Sequence, residues 1–288
     1  MHSFSEVKKK DSISYEEFIS EHLNKGIPVV FKNASAAWPS NKMFTPEFFS
    51  ENFGSYTTKS GDVEYTMNEV LELTAKSTSE NPAPYPILFE IPEQLPELLK
   101  LLEPMHMNYA KPNWFNSKTF PYGKFGKNVH LFIGGKGNQY ALHKDWYHTN
   151  AWITQLHGVK KFVVFPRDQE EYLYPGKGSF ESFSSPINIL NPDYDKYPNY
   201  KKATPIEIDL EPGETIFIPN GIWHTTVAPG HNISLIFDQL NATNFDAWKK
   251  DVYEMKKTDG KLKALLHYAY AVSAGSACKT AELTGAKF

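Results

Sequence analysis

The sequence predicts a mainly β protein, a sandwich or barrel with helices at both ends. Three observations carry this. Between Val129 and Leu240 the chain breaks into short runs rich in β-branched and aromatic residues: "VHLFIGG", "YALHKD", "AWITQLHG", "KKFVVFP", "TPIEIDL", "ETIFIP", "WHTTVA" and "NISLIFDQL". Turn signals separate them, among them Gly134-Gly135-Lys136-Gly137-Asn138, Pro212-Gly213, Pro219-Asn220-Gly221 and Pro229-Gly230. Aromatic residues make up 15% of the chain, which suits either a β-rich core or an aromatic-lined cleft. About eight short strands with regular turns read as a sandwich or barrel rather than as alternating βα units.

The flanks read as helix. "SISYEEFISEHLNKG" pairs Ser14 with Glu17 as a capping box, offers Phe18, Ile19 and Leu23 as an apolar face, and stops at Gly26. "IPVVF" follows as a short strand. "TPEFFSENFG" has Thr45 as N-cap, Pro46 in the first turn and Gly54 at the end. "MNEVLELTAK" and "LPELLKLL" are further helical pieces, and the polar stretch 77–86 is a surface loop. A long insert, 167–204, rich in Tyr, Pro, Ser and Asn, is expected over the barrel mouth. "NFDAWKKDVYEMKK" and "KLKALLHYAYAVSA" close the chain as amphipathic helices. The second carries Leu262, Leu265, Leu266, Tyr268, Tyr270 and Val272, more apolar surface than a lone terminal helix needs, so it packs on the barrel or pairs with a second copy. The expected division is 1–125 as a flanking region, 126–241 as the barrel and 242–288 as C-terminal helices, all within one integrated domain.

The chain has 288 residues, 41% of them hydrophobic and 22% charged, with a net charge of -3. That balance gives no overall pull toward nucleic acid or an anionic membrane. Lys8-Lys9-Lys10 reads as a solvated tail. One cysteine, Cys278, excludes an intrachain disulfide and fits a reducing compartment. No apolar run reaches the roughly 18 residues of a membrane span, and the polar N-terminal stretch lacks a signal-peptide core. The expectation is a soluble, intracellular protein, cytoplasmic or nuclear.

The chemistry concentrates between Tyr140 and Pro166. His143 and Asp145 stand at i and i+2, so on an extended strand both project to one face. Alone, the pair reads more readily as a buried His–Asp hydrogen bond than as a metal site. His224, in "IPNGIWHTTV", is the best candidate for a third ligand from a neighbouring strand. Two histidines and one carboxylate on one face of an octahedron are the ligand set of non-haem Fe(II) oxygenases. His148 is placed to touch substrate and His157 to sit at a strand end; His106, His130 and His231 show no partner. If the electron donor beside O2 is 2-oxoglutarate, its far carboxylate needs a cation inside the barrel. In "GVKKFVVF" one of Lys160 and Lys161 faces inward if the strand is regular, and both are wet if its start frays.

These residues resemble the jumonji-C (JmjC), cupin-like family of Fe(II)- and 2-oxoglutarate-dependent hydroxylases. The likeness runs through "GIPVVFKN", "LFIGGKGNQYALHKD", "LHGVKKFVVFPRDQEEYLYP", "NPDYDKYPNY" and "LEPGETIFIPNGIWHTTV". Within the family, the stretches are similar to those of the hypoxia-inducible-factor asparaginyl hydroxylase and the tRNA wybutosine hydroxylase. The resemblance implies a double-stranded β-helix (cupin/jelly-roll) barrel flanked by N-terminal and C-terminal helices. It implies His143, Asp145 and His224 as the catalytic metal ligands and Lys160 as the 2-oxoglutarate anchor. The chain departs from the family at Tyr140, where a Ser or Thr is common and whose phenol would help hold the cosubstrate, and at Asp238, which replaces a late barrel asparagine. Asn150 and Thr154 are the polar candidates for another family asparagine.

The resemblance thus implies a dioxygenase using Fe(II), O2 and 2-oxoglutarate as cosubstrate, and releasing succinate and CO2. A polypeptide side chain is the preferred substrate, because Trp146, Tyr147 and Trp223 would make an aromatic mouth. Hydroxylation of a small molecule or peptide natural product is the alternative, and a metal-binding cupin without catalysis is the other. A homodimer through the C-terminal helices is expected from their apolar surface.

Overall fold

The computed structural model of the chain describes residues 3–39, 42–102, 108–120, 129–178 and 180–286. His106 lies outside the described residues, as does the boundary expected at 125. In chain order the strands are β1 (Lys8–Lys10), β2 (Val29–Phe31), β3 (Thr57–Ser60), β4 (Val63–Thr66), β5 (Ile87–Glu90), β6 (His130–Gly134), β7 (Asn150–His157), β8 (Lys160–Phe165), β9 (Ile206–Leu210), β10 (Thr215–Ile218), β11 (Trp223–Val227) and β12 (Asn232–Gln239). The α-helices are α1 (Tyr15–Glu17), α2 (Pro46–Phe53), α3 (Met67–Ala75), α4 (Ile91–Gln94), α5 (Phe245–Lys256) and α6 (Lys261–Leu283).

Seven strands form one sheet in the order β1-β2-β10-β7-β12-β6-β5, and three form a second in the order β11-β8-β9. β3 and β4 pair as a separate hairpin. The two larger sheets face each other, and residues of β6, β7 and β12 on one side and of β8 and β11 on the other line a common cavity. This is the jelly-roll arrangement of a cupin. Strand pairing among the described residues leaves it as two facing sheets.

Alternation along the strands decides what each sheet does. On β7, Ala151 and Ile153 face the cavity, while Trp152 turns the other way onto Phe18, Phe31 and Phe217. On β12, Ile236 and Asp238 face the cavity and Leu235 and Phe237 join Trp152 in the outer core. The large sheet therefore has two buried faces. One packs on the N-terminal helices and the other on the small sheet through Ile153, Phe162, Val164, Ile208, Ile216 and Ile218. That is why its central strands read as nearly continuous apolar runs.

Several local expectations change. Lys8–Lys10 is no solvated tail: it is an edge strand parallel to β2, with Lys9 Nζ donating to Glu214 (2.6 Å) and to the Asp209 carbonyl (2.8 Å). Ser14 accepts the Glu17 amide (3.0 Å), but the Glu17 carboxylate lies 3.5 Å from Lys10 instead of reaching back to Ser14. The reciprocal capping box occurs at Thr66 and Glu69 instead. "LPELLKLL" is a 3₁₀ helix, Pro96–Leu102. The polar stretch 77–86 is the largely exposed loop expected, and it closes on the β6 turn: Ser77 donates to the Lys136 carbonyl (2.7 Å) and Asn138 to the Ala83 carbonyl (2.7 Å). Gly137 (φ +85°) allows this approach, because a Cβ there would lie 2.7 Å from the Thr78 carbonyl oxygen. At the other end, Phe245 and Trp248 of α5 pack with Ala271 and Ala274 of α6 on Trp114 and Phe120. Among the described residues, no helix is long and apolar enough to cross a membrane.

Trp152 is fully buried among four aromatic rings and donates its indole N–H to Gln239 (2.9 Å). Trp152→Ala is expected to cost about 3–5 kcal/mol. A urea titration checks this, and a loss below about 1 kcal/mol would contradict the packing described.

Candidate metal centre and its cavity

The centre depends on a short piece of backbone pairing outside the regular strands. Residues 139–145 run extended beside β11, bridged to it at Gln139–Val227 and at His143–His224. His143 and His224 exchange both backbone hydrogen bonds, at 2.9 and 2.8 Å. Directly opposed residues of an antiparallel pair put their side chains on the same face, and the two imidazole centroids are 4.3 Å apart. Asp145, two residues on, joins them: its Oδ1 lies 3.7 Å from His143 Nε2 and 3.8 Å from His224 Nε2. One ligand atom from each of the three lies within 4.8 Å of the others.

Each imidazole is turned by a backbone carbonyl two residues before it. His143 Nδ1 donates to the Ala141 carbonyl (2.8 Å) and His224 Nδ1 to the Ile222 carbonyl (3.0 Å). With the proton on Nδ1, each Nε2 presents a lone pair to the shared space, as metal-bound histidines require. Burial pushes both imidazoles down to about 4; at His143 the His224 ring adds to this and the Asp145 carboxylate opposes it. Both rings are therefore neutral near pH 7. Burial also raises the Asp145 carboxyl, with His143 pulling against it. Two neutral nitrogen donors and a carboxylate short of positive charge fit a divalent cation.

The triad opens into a cavity of about 160 Å³. Lys160 enters it from β8, 3% exposed, with Ser234 Oγ (2.5 Å) as its hydrogen-bond partner and the Phe132 ring 5.8 Å away. Burial alone lowers its ammonium to about 7. Lys161 points outward to Glu207 (2.6 Å), as strand alternation requires. Ser234 and Asp238 are four residues apart on β12, roughly 13 Å along the strand. Lys160 therefore sits well down the cavity from Asp238, whose carboxyl feels the charge of Asp145. Tyr140 packs at a tilt against His143 (centroids 4.7 Å, 52° between ring planes) and meets Tyr85 edge-on (6.1 Å).

Comparison with known families matches residues 61–237 to the cupin-like domain. The chain belongs to the JmjC-type cupin-like family. It is similar to human HSPB1-associated protein 1, at 36% identity over 107 residues, covering 36% of this chain and 22% of that protein. It is similar to the Arabidopsis thaliana arginine-specific demethylase JMJ22 at 25% identity over 246 residues, 83% of this chain and 47% of that protein. It is also similar to the Arabidopsis lysine-specific demethylase JMJ21 at 25% identity, over 83% of this chain and 26% of that protein. The chain spans less than half the length of each of these relatives.

The cupin-like fold brings Tyr140, His143, Asp145, Lys160, His224 and Asp238 to one cavity and leaves other candidates out. Asn150 and Thr154 share the Trp152 side of β7; Asn150 accepts from the Asn220 amide (2.9 Å) and Thr154 bonds Thr215 (2.6 Å). His148 does not line the cavity: its Nδ1 is 2.6 Å from the Asp251 carboxylate of α5. The aromatic mouth shrinks to Trp146, 58% exposed beside Phe180, because Trp223 is buried and Tyr147 donates to Met255 Sδ. His157 ends β7 half-buried against His231 (5.8 Å).

The cupin-like cavity also holds residues that sequence reasoning missed. Tyr85 lies inside it, its phenol raised by burial and hydrogen-bonded with Thr226. It comes from the polar stretch 77–86, whose composition pointed only to a surface loop. His130 projects from β6 into the same space, and its buried Nε2, 3.9 Å from a Glu90 carboxylate oxygen, has no hydrogen-bond partner among the described residues. The alternation of "VHLFIGG" puts His130 and Phe132 on one face, the available signal for it.

Asp238 is raised to about 8, chiefly by burial, then by the nearby Asp145 charge, with a Thr149 hydrogen bond opposing. Its folded pKa exceeds the unfolded value, so its contribution to stability is present at acid pH and is lost as pH rises from about 4 to about 8. In chelator-treated protein, Asp238→Asn is expected to melt higher than wild type, by a margin that widens over that range and levels off above it. The gain is on the order of a few kcal/mol. A constant or shrinking margin between pH 4 and 8 would refute this account.

Proposed function

We propose that this chain is an Fe(II)- and 2-oxoglutarate-dependent oxygenase that hydroxylates an unactivated C–H on a polypeptide side chain. One observation carries the proposal: a His-Asp-His set converges in the same cavity as a buried lysine that has no anionic partner among the described residues. A cupin that merely bound metal would have no use for Lys160, because a buried ammonium with no counter-ion is costly.

In this reading His143, Asp145 and His224 hold Fe(II), with the Nδ1 hydrogen bonds to Ala141 and Ile222 fixing both rings. Fe(II) bound there would supply the activation of O2, with 2-oxoglutarate as the two-electron donor that leaves as succinate and CO2. Lys160 takes the far carboxylate of 2-oxoglutarate, and Ser234 keeps the ammonium aimed into the cavity. Tyr140 and Tyr85 wall the same space and exclude water, with their phenols kept protonated by burial. The substrate C–H enters past Trp146, and one oxygen atom of O2 ends in the product hydroxyl.

A second reading has specific support. Two of the relatives named above are an arginine-specific and a lysine-specific demethylase, and Asp238 puts a second carboxyl on the cavity wall. The same oxygenase step on an N-methyl carbon gives a hemiaminal that collapses to formaldehyde. Product mass separates the two: retention of one oxygen marks hydroxylation, and loss of a methylene with formaldehyde release marks demethylation. A protein partner suits either reading, as does a homodimer through α6, where Leu262, Leu265, Leu266 and Tyr270 are exposed.

Protein reconstituted with Fe(II) is expected to turn 2-oxoglutarate into succinate. His143→Ala or Asp145→Ala should lower turnover by a hundredfold or more, and Lys160→Ala should raise the KM for 2-oxoglutarate at least tenfold while the metal stays bound. Turnover that is independent of metal in the wild type would overturn the proposal. For the dimer, Leu265→Asp should shift the molar mass in light scattering to that of one chain; an unchanged mass in both forms would remove α6 as the interface.

A further inference from the structure

We propose that Glu170, in the insert between β8 and β9, is a positioning residue that clamps both halves of the His-Asp-His set from behind. The inference rests on the metal-binding reading given above and adds a residue outside the cavity to it.

Side-chain alternation sets up the clamp. His143 and Asp145 face the cavity, so Lys144 between them projects to the opposite face. His224 faces the cavity, so Trp223 before it also projects to the opposite face. The His143–His224 bridge holds these two segments side by side, so Lys144 and Trp223 are neighbours there, with the ammonium 5.0 Å from an indole ring centroid. One carboxylate spans them. Lys144 Nζ donates to both oxygens of Glu170 at 3.2 Å, and Trp223 Nε1 donates to Oε2 at 3.1 Å. Lys144 is 9% exposed and Trp223 fully buried. Glu170 thus anchors the chain once within the His143–Asp145 pair and once immediately before His224.

The same insert grips the first segment a second time through its backbone. Lys144 donates to the Phe183 carbonyl (2.8 Å), Ser185 donates to the Leu142 carbonyl (2.9 Å), and His143 is bridged to Ser184. The ligand segment is therefore a strand held between β11 and the insert. Glu170 is the point where side chains lock the lateral spacing of the two edges, and that spacing sets the separation of His143 and Asp145 from His224. A half-exposed carboxylate paired with a buried ammonium is an expensive way merely to fill space. Its geometry suits a device that orients ligands, as hydrogen-bonded outer partners do at metal sites.

The test is Mn(II) binding by isothermal titration, with the Co(II) d–d spectrum as a second readout that general destabilisation would not move. Glu170→Gln is expected to weaken Mn(II) binding about 10–100-fold and to shift the Co(II) bands. Lys144→Met, which leaves an apolar chain among Phe183 and Trp223, should stay folded and reproduce the spectral shift. The double variant should lose less than the two single losses combined, because the two residues act through one contact. Wild type that binds no Mn(II) would sink the metal-binding reading itself. Wild type that binds, with both variants within twofold of it and spectrally unchanged, would overturn the clamp alone. A Glu170→Gln chain that fails to fold leaves Lys144→Met to decide on the same two measurements.

Discussion

The candidate site depends on one short antiparallel bridge, between His143 and His224. Two backbone hydrogen bonds there place the imidazoles side by side and, through alternation, turn Lys144 and Trp223 together to the opposite face. Everything near the centre inherits its position from this pairing. Asp145 comes within 4 Å of both rings because it lies two residues past one of them. A slip of one residue of the 139–145 segment against β11 would turn His143 and Asp145 away from His224. The bridge lies outside regular strands, so it needs support from beyond its own hydrogen bonds. Packing under the insert supplies that support through Leu142, Val163, Phe165, Tyr200 and Trp223.

The cavity gathers groups whose ordinary charges burial opposes. Histidines are held neutral, Lys160 is pushed toward neutrality, and Asp145 and Asp238 are pushed toward their protonated forms. One such group is common in structural cores. Several around one space are the pattern of a site prepared for charged ligands. Under the proposed function, a divalent cation would answer the donor set at one part of the cavity and an organic anion would answer Lys160 further in. Each ligand would relieve the desolvation that the protein alone leaves uncompensated.

Much of the centre was legible because period-two alternation is a local rule. That His143 and Asp145 share a face, and that Lys160 and Lys161 face opposite ways, follow from counting residues along an extended chain; which lysine turns inward was pointed to by the family resemblance. Position near the site and polarity, without a face to refer to, were weaker guides. Asn150 and Thr154 have the right polarity but share the face of Trp152, which packs on Phe18 and Phe217. His148 looked free near the mouth but is tied to Asp251, on a helix more than a hundred residues away in sequence. Tyr85 was invisible, since a polar loop gives no sign of which side chain it will tuck inward.

The sequence by itself determined the strand-rich core with helical flanks, the shared face of His143 and Asp145 and the opposed faces of Lys160 and Lys161, while its family resemblance pointed to His224 and to Lys160. These are set by local periodicity, by turn residues and by motifs of fixed spacing. Only the tertiary structure decided that Lys8–Lys10 is an edge strand, that Tyr85 and His130 line the cavity, and that the insert pairs with the His143–Asp145 segment on the side away from β11. Those facts depend on pairings between residues far apart in the chain. Such pairings are chosen by which faces bury together, and no local pattern encodes that choice.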